Sequence, residues 1–201
     1  RDEVGTIRGY TAYHLFIEQE GGEERAIVRL ESGYEADFRR RNVQGTFIIS
    51  EILRLCLRRP RTQKFLLGCF VHPSAYVALS RHVDTMWPSP HQETPAEMED
   101  LMQDLAERFD MKPADGEGTY QVGWISRETR RERREWQGRG DAAACFYLER
   151  NPGYREGHGL LTLIPIGGAG LVRGIWRFSL RRLRRARRAL PALVGPSTSL
   201  M

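Results

Sequence analysis

The sequence predicts an α/β fold with an antiparallel hairpin, a buried central strand and several helices. Residues 9–18 and 25–33 are rich in β-formers and enclose a polar turn with two glycines, which is typical of an antiparallel hairpin. Apolar residues then recur at helical spacing over 45–59, and Pro60 ends that helix. The continuous apolar run 65–71 is typical of a central strand covered on both faces. Strand and helix patterns therefore alternate, as the α/β class requires.

Four further elements are predicted downstream. Pro73 suits the first turn of a helix that runs to about Asp84. Thr94 as N-cap followed by a proline predicts a helix over 94–109, which we interpret as an insertion. A short strand over 120–125 and a charged helix over 127–136 follow. The apolar segment 142–148 is predicted to be another strand.

Composition places the chain among globular proteins. It has 201 residues, of which 40% are hydrophobic and 28% charged, enough for one domain with a real core. Because the sequence begins with Arg1 rather than Met and enters a strand pattern almost at once, we expect a fragment or a processed chain. The three cysteines are widely spaced in apolar contexts, so we expect buried free thiols, a cytoplasmic setting and no metal site; a disulfide framework or a zinc site is the alternative.

The positive charge is concentrated in the C-terminal segment. Eight of the 31 basic residues and none of the 26 acidic residues follow Glu156, so residues 1–156 carry 23 basic and 26 acidic side chains, a net charge of −3. Residues 171–190 combine an apolar stripe with an arginine face, which predicts an amphipathic helix. We expect it to contact an anionic membrane surface or an acidic partner; packing on the core is an alternative, and binding to nucleic acid is less favoured.

The apolar run 159–170 precedes that helix. Pro165 and several glycines interrupt it, so it is too short and broken to cross a bilayer, and we expect it to lie on a surface or pack on the body. The predicted division is therefore a domain over 1–156 and an apolar segment with a basic helix over 157–201.

The order of the elements resembles the GNAT superfamily of N-acyltransferases, with its N-terminal part missing. The resemblance implies a central sheet that is mixed, mostly antiparallel and flanked by helices. The segment that opens the first helix resembles that family's acyl-CoA motif, Q/R-x-x-G-x-G/A, with Arg39 on the first motif position and Asn42 and Gln44 in place of the glycines. A helix N-terminus with nearby arginines suits a pyrophosphate. The resemblance implies that acetyl-CoA or another acyl-CoA is held by Arg39, Arg40, Arg41, Asn42, Val43, Gln44, Gly45 and Thr46; an unrelated charged helix start is the alternative.

The resemblance also implies direct acyl transfer from a thioester to an amine, which needs a base and an acid. Glu31 is the candidate base, and a surface role is its alternative. Tyr76 is the candidate acid, although it lies one turn before the family's usual position; packing is its alternative. His72 ends the buried strand where substrates approach open α/β sheets, and capping is its alternative.

Two functions follow as hypotheses. The first is an N-acyltransferase that uses acyl-CoA or an acyl carrier protein, with an unknown acceptor amine. The second is a non-catalytic binding module on a GNAT-like scaffold, held at a membrane or an acidic partner by its basic C-terminal helix. We expect a cytoplasmic protein that is peripheral at the membrane if that helix binds lipid.

Overall fold

The computed structural model describes residues 4–20, 22–35, 38 and 43–167. Within these ranges the chain forms five strands, which are β1 (Gly9–Glu20), β2 (Glu23–Tyr34), β3 (Gln63–Phe70), β4 (Thr119–Gln121) and β5 (His158–Pro165). The same ranges contain five α-helices, which are α1 (Val43–Arg58), α2 (Pro73–Ser80), α3 (Ala96–Arg108), α4 (Arg130–Gln137) and α5 (Ala142–Arg150). A 3₁₀ helix, Pro152–Glu156, leads from α5 into β5.

The five strands form one open sheet in the order β1–β2–β3–β5–β4. The pair β2–β3 is parallel and the other three pairs are antiparallel, so the mixed, mostly antiparallel sheet is confirmed. The predicted hairpin is confirmed as well, because β1 and β2 pair along their whole length from Gly9 opposite Tyr34 to Glu20 opposite Glu23. Gly22, with φ at +87°, supplies the left-handed backbone of the connecting turn.

Two cores lie on opposite faces of the sheet. On the first face, which we call the three-helix face, residues of α1, α2 and α5 pack on Ala26, Val28 and Leu66. On the second, the α3 face, residues of α3 pack on Ile27, Phe65 and Leu67. The alternation of side chains along each strand produces this division. The middle strand β3 is therefore buried from both sides, as its apolar run predicts.

The prediction of a strand over 142–148 is wrong, because these residues belong to helix α5. The side chain of Asp141 accepts a hydrogen bond from the Ala143 amide and caps the helix. Ala143, Ala144 and Tyr147 are buried, and their spacing is helical. A short apolar run fits a strand and a buried helix equally well, so the cap is the signal that separates them.

The apolar run after Gly159 does not pack outside the sheet. It forms β5, which pairs with β3 from Phe65 opposite Pro165 to Phe70 opposite Leu160, and pairs with β4 on its other side. Strand β5, which follows residue 156, therefore belongs to the same sheet as β1–β4. The predicted helix over 171–190 lies outside the described residues.

Several element ends differ from the predictions. Helix α2 ends at Ser80 rather than near Asp84, and α3 is capped by Pro95 without a side-chain hydrogen bond rather than by Thr94. The short strand covers Thr119–Gln121 only. Helix α4 begins at Arg130, behind a capping box in which Thr129 and Glu132 exchange side-chain to backbone hydrogen bonds.

Candidate functional site

The parallel strands β2 and β3 separate at their carboxyl ends. Their pairing runs from Arg25 opposite Gln63 to Arg29 opposite Leu67 and then stops, although β2 continues to Tyr34 and β3 continues to Phe70. We call these parts, residues 30–34 and 68–70, the strand divergence. Each part stays in the sheet through its other neighbour, since β1 pairs with β2 and β5 pairs with β3. The divergence therefore interrupts the hydrogen bonding in the middle of an otherwise continuous sheet.

Two helices follow the ends of these strands. Helix α1 comes after β2, and α2 comes after β3, and both pack on the three-helix face. The first turn of α1 contains no acidic residue, and the partial positive charge of a helix amino terminus suits an anion. Among the residues predicted to bind acyl-CoA, Val43–Thr46 lie in this first turn, with Gly45 half-buried and Thr46 exposed. Arg39, Arg40, Arg41 and Asn42 lie outside the described residues.

Glu31 lies in the strand divergence and is exposed. It alternates with Leu30, which packs on the three-helix face, so Glu31 belongs to the α3 face. Arg29, two residues earlier on the same side, confirms the orientation of the strand, because its guanidinium lies 4.3 Å from the centre of the Phe109 ring. The carboxylate therefore lies on the opposite face of the sheet from α1 and α2.

Tyr76 is fully buried in the three-helix face. Its hydroxyl donates a hydrogen bond to the Pro88 carbonyl over 2.9 Å, and its ring lies 5.5 Å from that of Tyr147. Burial raises the pKa of Tyr76 above its ordinary value. The structure thus places Tyr76 in a packing role and does not bring it to the same face as Glu31.

His72 caps helix α2. Its Nδ1 accepts a hydrogen bond from the Ser74 amide over 3.2 Å and lies 2.7 Å from Ser74 Oγ. Its Nε2 lies 3.5 Å from Glu128 Oε2. In this structure His72 therefore acts as the N-cap of α2, which is the alternative considered for it.

Glu128 is the centre of a polar cluster that the sequence did not reveal. Its side chain is only 4% exposed, and its Oε1 accepts a hydrogen bond from the Tyr154 hydroxyl over 2.9 Å. The Nε atoms of Arg133 and Arg155 lie 3.4 and 3.6 Å from the same oxygen. Burial, and secondarily the hydrogen bond to Glu128, raises the pKa of Tyr154 to about 12.

This cluster joins the beginning of α2 to α4 and to the 3₁₀ helix. The rings of Trp136 and Tyr154 meet His72 edge-on, with centres 6.0 and 6.1 Å away. Nothing in the sequence marks Glu128, because it lies in a run of charged residues that reads as a solvated surface. The contacts that bury it come from segments distant along the chain.

The described residues contain no group of three or more histidine, cysteine, aspartate or glutamate side chains arranged to hold a metal ion. The same residues contain no helix with the length and apolar character needed to cross a bilayer. The fold and the strand divergence define an α/β protein with an open mixed sheet that is interrupted between its two parallel strands. No protein family model, curated protein or solved structure matches the chain.

Proposed function

We propose that this protein is an N-acyltransferase that moves an acyl group directly from a thioester to an amine. The observation that carries the proposal is the strand divergence between β2 and β3, with helices α1 and α2 following the two strand ends. Direct transfer needs one place where donor and acceptor meet, and in this proposal that place is the strand divergence. Acetyl-CoA, another acyl-CoA or an acyl carrier protein is the proposed donor.

The donor belongs on the three-helix face in this proposal. The pyrophosphate of an acyl-CoA binds at the amino-terminal turn of α1, where the helix dipole is positive, and Arg39, Arg40 and Arg41 precede that turn in the sequence. The thioester carbonyl then reaches the strand divergence. Backbone amides of β2 that no longer pair with β3 are suitable donors to the oxygen of that carbonyl as negative charge develops on it.

The acceptor amine enters from the α3 face, where Glu31 lies. Its carboxylate takes the proton from the ammonium group, and the free amine attacks the thioester carbon. A carbon–nitrogen bond forms and the carbon–sulfur bond breaks, with its electron pair leaving on the thiolate. The attacking nitrogen then gives its second proton to that thiolate, which yields the amide and the free thiol. A base positioned in this way contributes about 10²–10⁴-fold to the rate.

The buried position of Tyr76 favours a second candidate function, a binding module without catalytic activity. Its hydroxyl donates to the Pro88 carbonyl and is shielded from solvent, a position that fits the packing alternative for this residue. In this alternative the scaffold binds a ligand without turnover, and residues 171–190 hold it at an anionic membrane or an acidic partner in the cytoplasm.

The test is calorimetric titration of the chain, including residues 36–42, with acetyl-CoA and CoA, followed by turnover assays over a panel of amines. Binding of acetyl-CoA supports the proposed donor site, and absence of binding to both molecules overturns it. Binding without turnover on any amine supports the binding module.

The variant Glu31→Gln tests the proposed base once turnover is seen. We expect it to lower kcat about 10²-fold or more while the affinity for acetyl-CoA stays unchanged. The matched control is Glu97→Gln, since Glu97 is exposed on the outer side of α3. An equal effect of both substitutions contradicts a base role for Glu31.

A further inference from the structure

A groove of about 800 Å³ runs between helix α1 and the outer strand β1. Its walls come from both elements and from the connection between α1 and β3, and they comprise Tyr13, Leu15, Glu24, Glu51, Arg54, Leu55, Arg58, Arg59, Pro60, Arg61 and Thr62. The arginine-rich end lies beside Glu24 and Thr62, at the start of β2 and β3. It is therefore at the opposite end of β2 from Glu31.

The groove has an excess of positive charge. Four arginines and two glutamates line it, a net charge of +2. Arg54 donates to Glu51, and Arg59 donates to Glu24 over 2.5 Å. The hydrogen bond from Arg59 lowers the pKa of Glu24. The opposite charges cancel within each of these two pairs. The net positive charge of the groove therefore comes from Arg58 and Arg61.

Arg58 and Arg61 are exposed, and neither has an ion pair with the described part of the chain. Pro60 lies between them in the turn that ends α1, so both guanidinium groups belong to one short connection. An arginine presents several N–H donors in a planar fork that matches the oxygens of a phosphate. Two unpaired forks at one end of a groove form a suitable receptor for such a group.

Lys64 adds a charge beneath this end of the groove. Its side chain is buried, and its Nζ donates a hydrogen bond to the Thr62 carbonyl over 2.6 Å. An ammonium group has three donors, and a buried one is costly unless its charge is compensated. The positive charge of Lys64 acts on both Glu24 and Cys56, which places it at the junction of β2 with the end of α1.

The other part of the groove is apolar. Tyr13 and Leu15 belong to β1, and Leu55 belongs to α1 on the opposite side. Leu15 is 41% exposed, so an apolar group laid against it removes hydrocarbon surface from water. The volume is in the range of sites that hold small organic molecules.

We propose that this groove binds a phosphate group that is joined to an apolar group. The phosphate contacts Arg58 and Arg61, and the apolar portion lies on Tyr13 and Leu15. A phospholipid headgroup region in a membrane and a soluble organic phosphate share this chemistry. The proposal does not rest on acyl transfer, because the phosphate end of the groove is remote from the strand divergence.

The test measures the binding of three probes to the full chain. The probes are inorganic phosphate, dihexanoyl phosphatidic acid, and phosphatidylcholine vesicles with or without phosphatidic acid. We expect the dihexanoyl lipid to bind more tightly than inorganic phosphate. The double substitution Arg58→Glu with Arg61→Glu should weaken that binding about tenfold or more, because charge-assisted hydrogen bonds are lost. Leu15→Thr should weaken the binding of the dihexanoyl lipid and leave the binding of inorganic phosphate unchanged.

The matched control is Arg131→Glu with Arg134→Glu, which makes the same change in net charge on the exposed side of α4. Binding of the dihexanoyl lipid supports a soluble ligand, and binding only to vesicles that contain phosphatidic acid supports a membrane lipid. Equal affinity for inorganic phosphate and the dihexanoyl lipid overturns the apolar part of the proposal. Absence of binding to all probes, or equal loss in the control, overturns the site.

Discussion

The Nε2 atom of His72 lies 3.5 Å from Oε2 of Glu128, a carboxylate that is almost completely buried. This contact connects the end of the central strand to a segment more than fifty residues later in the chain. It places a histidine next to a charge that Tyr154, Arg133 and Arg155 also contact. The cluster therefore fixes the relative position of α2, α4 and the 3₁₀ helix.

Replacing Glu128 with glutamine is expected to lower the free energy of unfolding by about 1–3 kcal/mol. The substitution keeps the size of the side chain and removes the charge that accepts the Tyr154 hydroxyl hydrogen. Urea unfolding followed by circular dichroism measures the change, with the exposed Glu97→Gln as control. A change of the same small size in both variants contradicts a stabilising role for the cluster.

Alkaline pH is expected to destabilise the fold between about pH 10 and pH 12. The pKa of Tyr154 is about 12 in the folded protein and about 10 in an unfolded chain. Protonated Tyr154 therefore stabilises the fold below pH 10, and this contribution is lost as the pH rises through the folded pKa. Urea midpoints measured across this range should fall less steeply for Tyr154→Phe than for the unchanged chain. If the urea midpoints of the two proteins fall equally with pH, the result argues against a raised pKa of Tyr154.

The pair of Asp141 and Arg81 should make the stability of the fold depend on pH in the acidic range. The hydrogen bond from Arg81 lowers the pKa of Asp141 in the folded protein. The pair therefore stabilises the fold above the unfolded pKa of about 4, and this contribution is lost as the pH falls through the lower folded pKa.

Asp141→Asn tests this pair, since an asparagine keeps a side-chain oxygen to cap α5. We expect a loss of about 0.5–1 kcal/mol in the free energy of unfolding at neutral pH. The difference from the unchanged chain should shrink as the pH falls below about 4. A difference that is constant with pH is inconsistent with an ionic contribution.

Tyr76→Phe should affect stability and leave acyl transfer unchanged. The substitution removes the hydrogen bond to the buried Pro88 carbonyl, so we expect a loss of about 1–2 kcal/mol in the free energy of unfolding. If turnover is found, kcat and its pH profile should match those of the unchanged chain. A decrease in kcat of about 10²-fold at unchanged affinity for acetyl-CoA restores Tyr76 as the acid.

Gly159→Ala tests the close packing around β5. A Cβ atom at this residue lies 2.5 Å from Cys69 Sγ and 2.9 Å from a Val122 methyl carbon, so the substitution overpacks the sheet. We expect a loss of about 1–3 kcal/mol in the free energy of unfolding. The control is Gly123→Ala, because a Cβ there has no neighbour within 4 Å among the described residues. Similar stabilities of the two variants contradict the tight packing of β5.

The hairpin, α1 and β3 were predictable because local signals agree there. Alternating β-formers, a glycine turn, a helical repeat and a terminal proline each point to the same element. For the opposite reason, segment 142–148 was assigned incorrectly and segment 159–170 was not recognised as containing a strand. Both are short apolar runs, and what distinguishes the helix from the strand is the Asp141 cap in one case and pairing with distant β3 in the other.

The candidate site was predictable only in part. The position of Glu31 late in β2 follows from the hairpin. Which face of the sheet it occupies depends on where the helices pack, and the sequence does not show that. The burial of Tyr76 depends on the Pro88 segment and α5, which no local pattern connects to α2. The arginine groove requires β1 and α1 to be neighbours, so it too comes from tertiary structure.

The insertion of β5 between β3 and β4 has a consequence for folding during translation. A ribosome that has completed residues 4–157 has made every other described strand, yet β3 still lacks its neighbour on one side. Until residues 158–165 emerge, β4 has no partner and the apolar edge of β3 is available to other chains. The nascent protein should therefore need protection from aggregation until β5 has been synthesised.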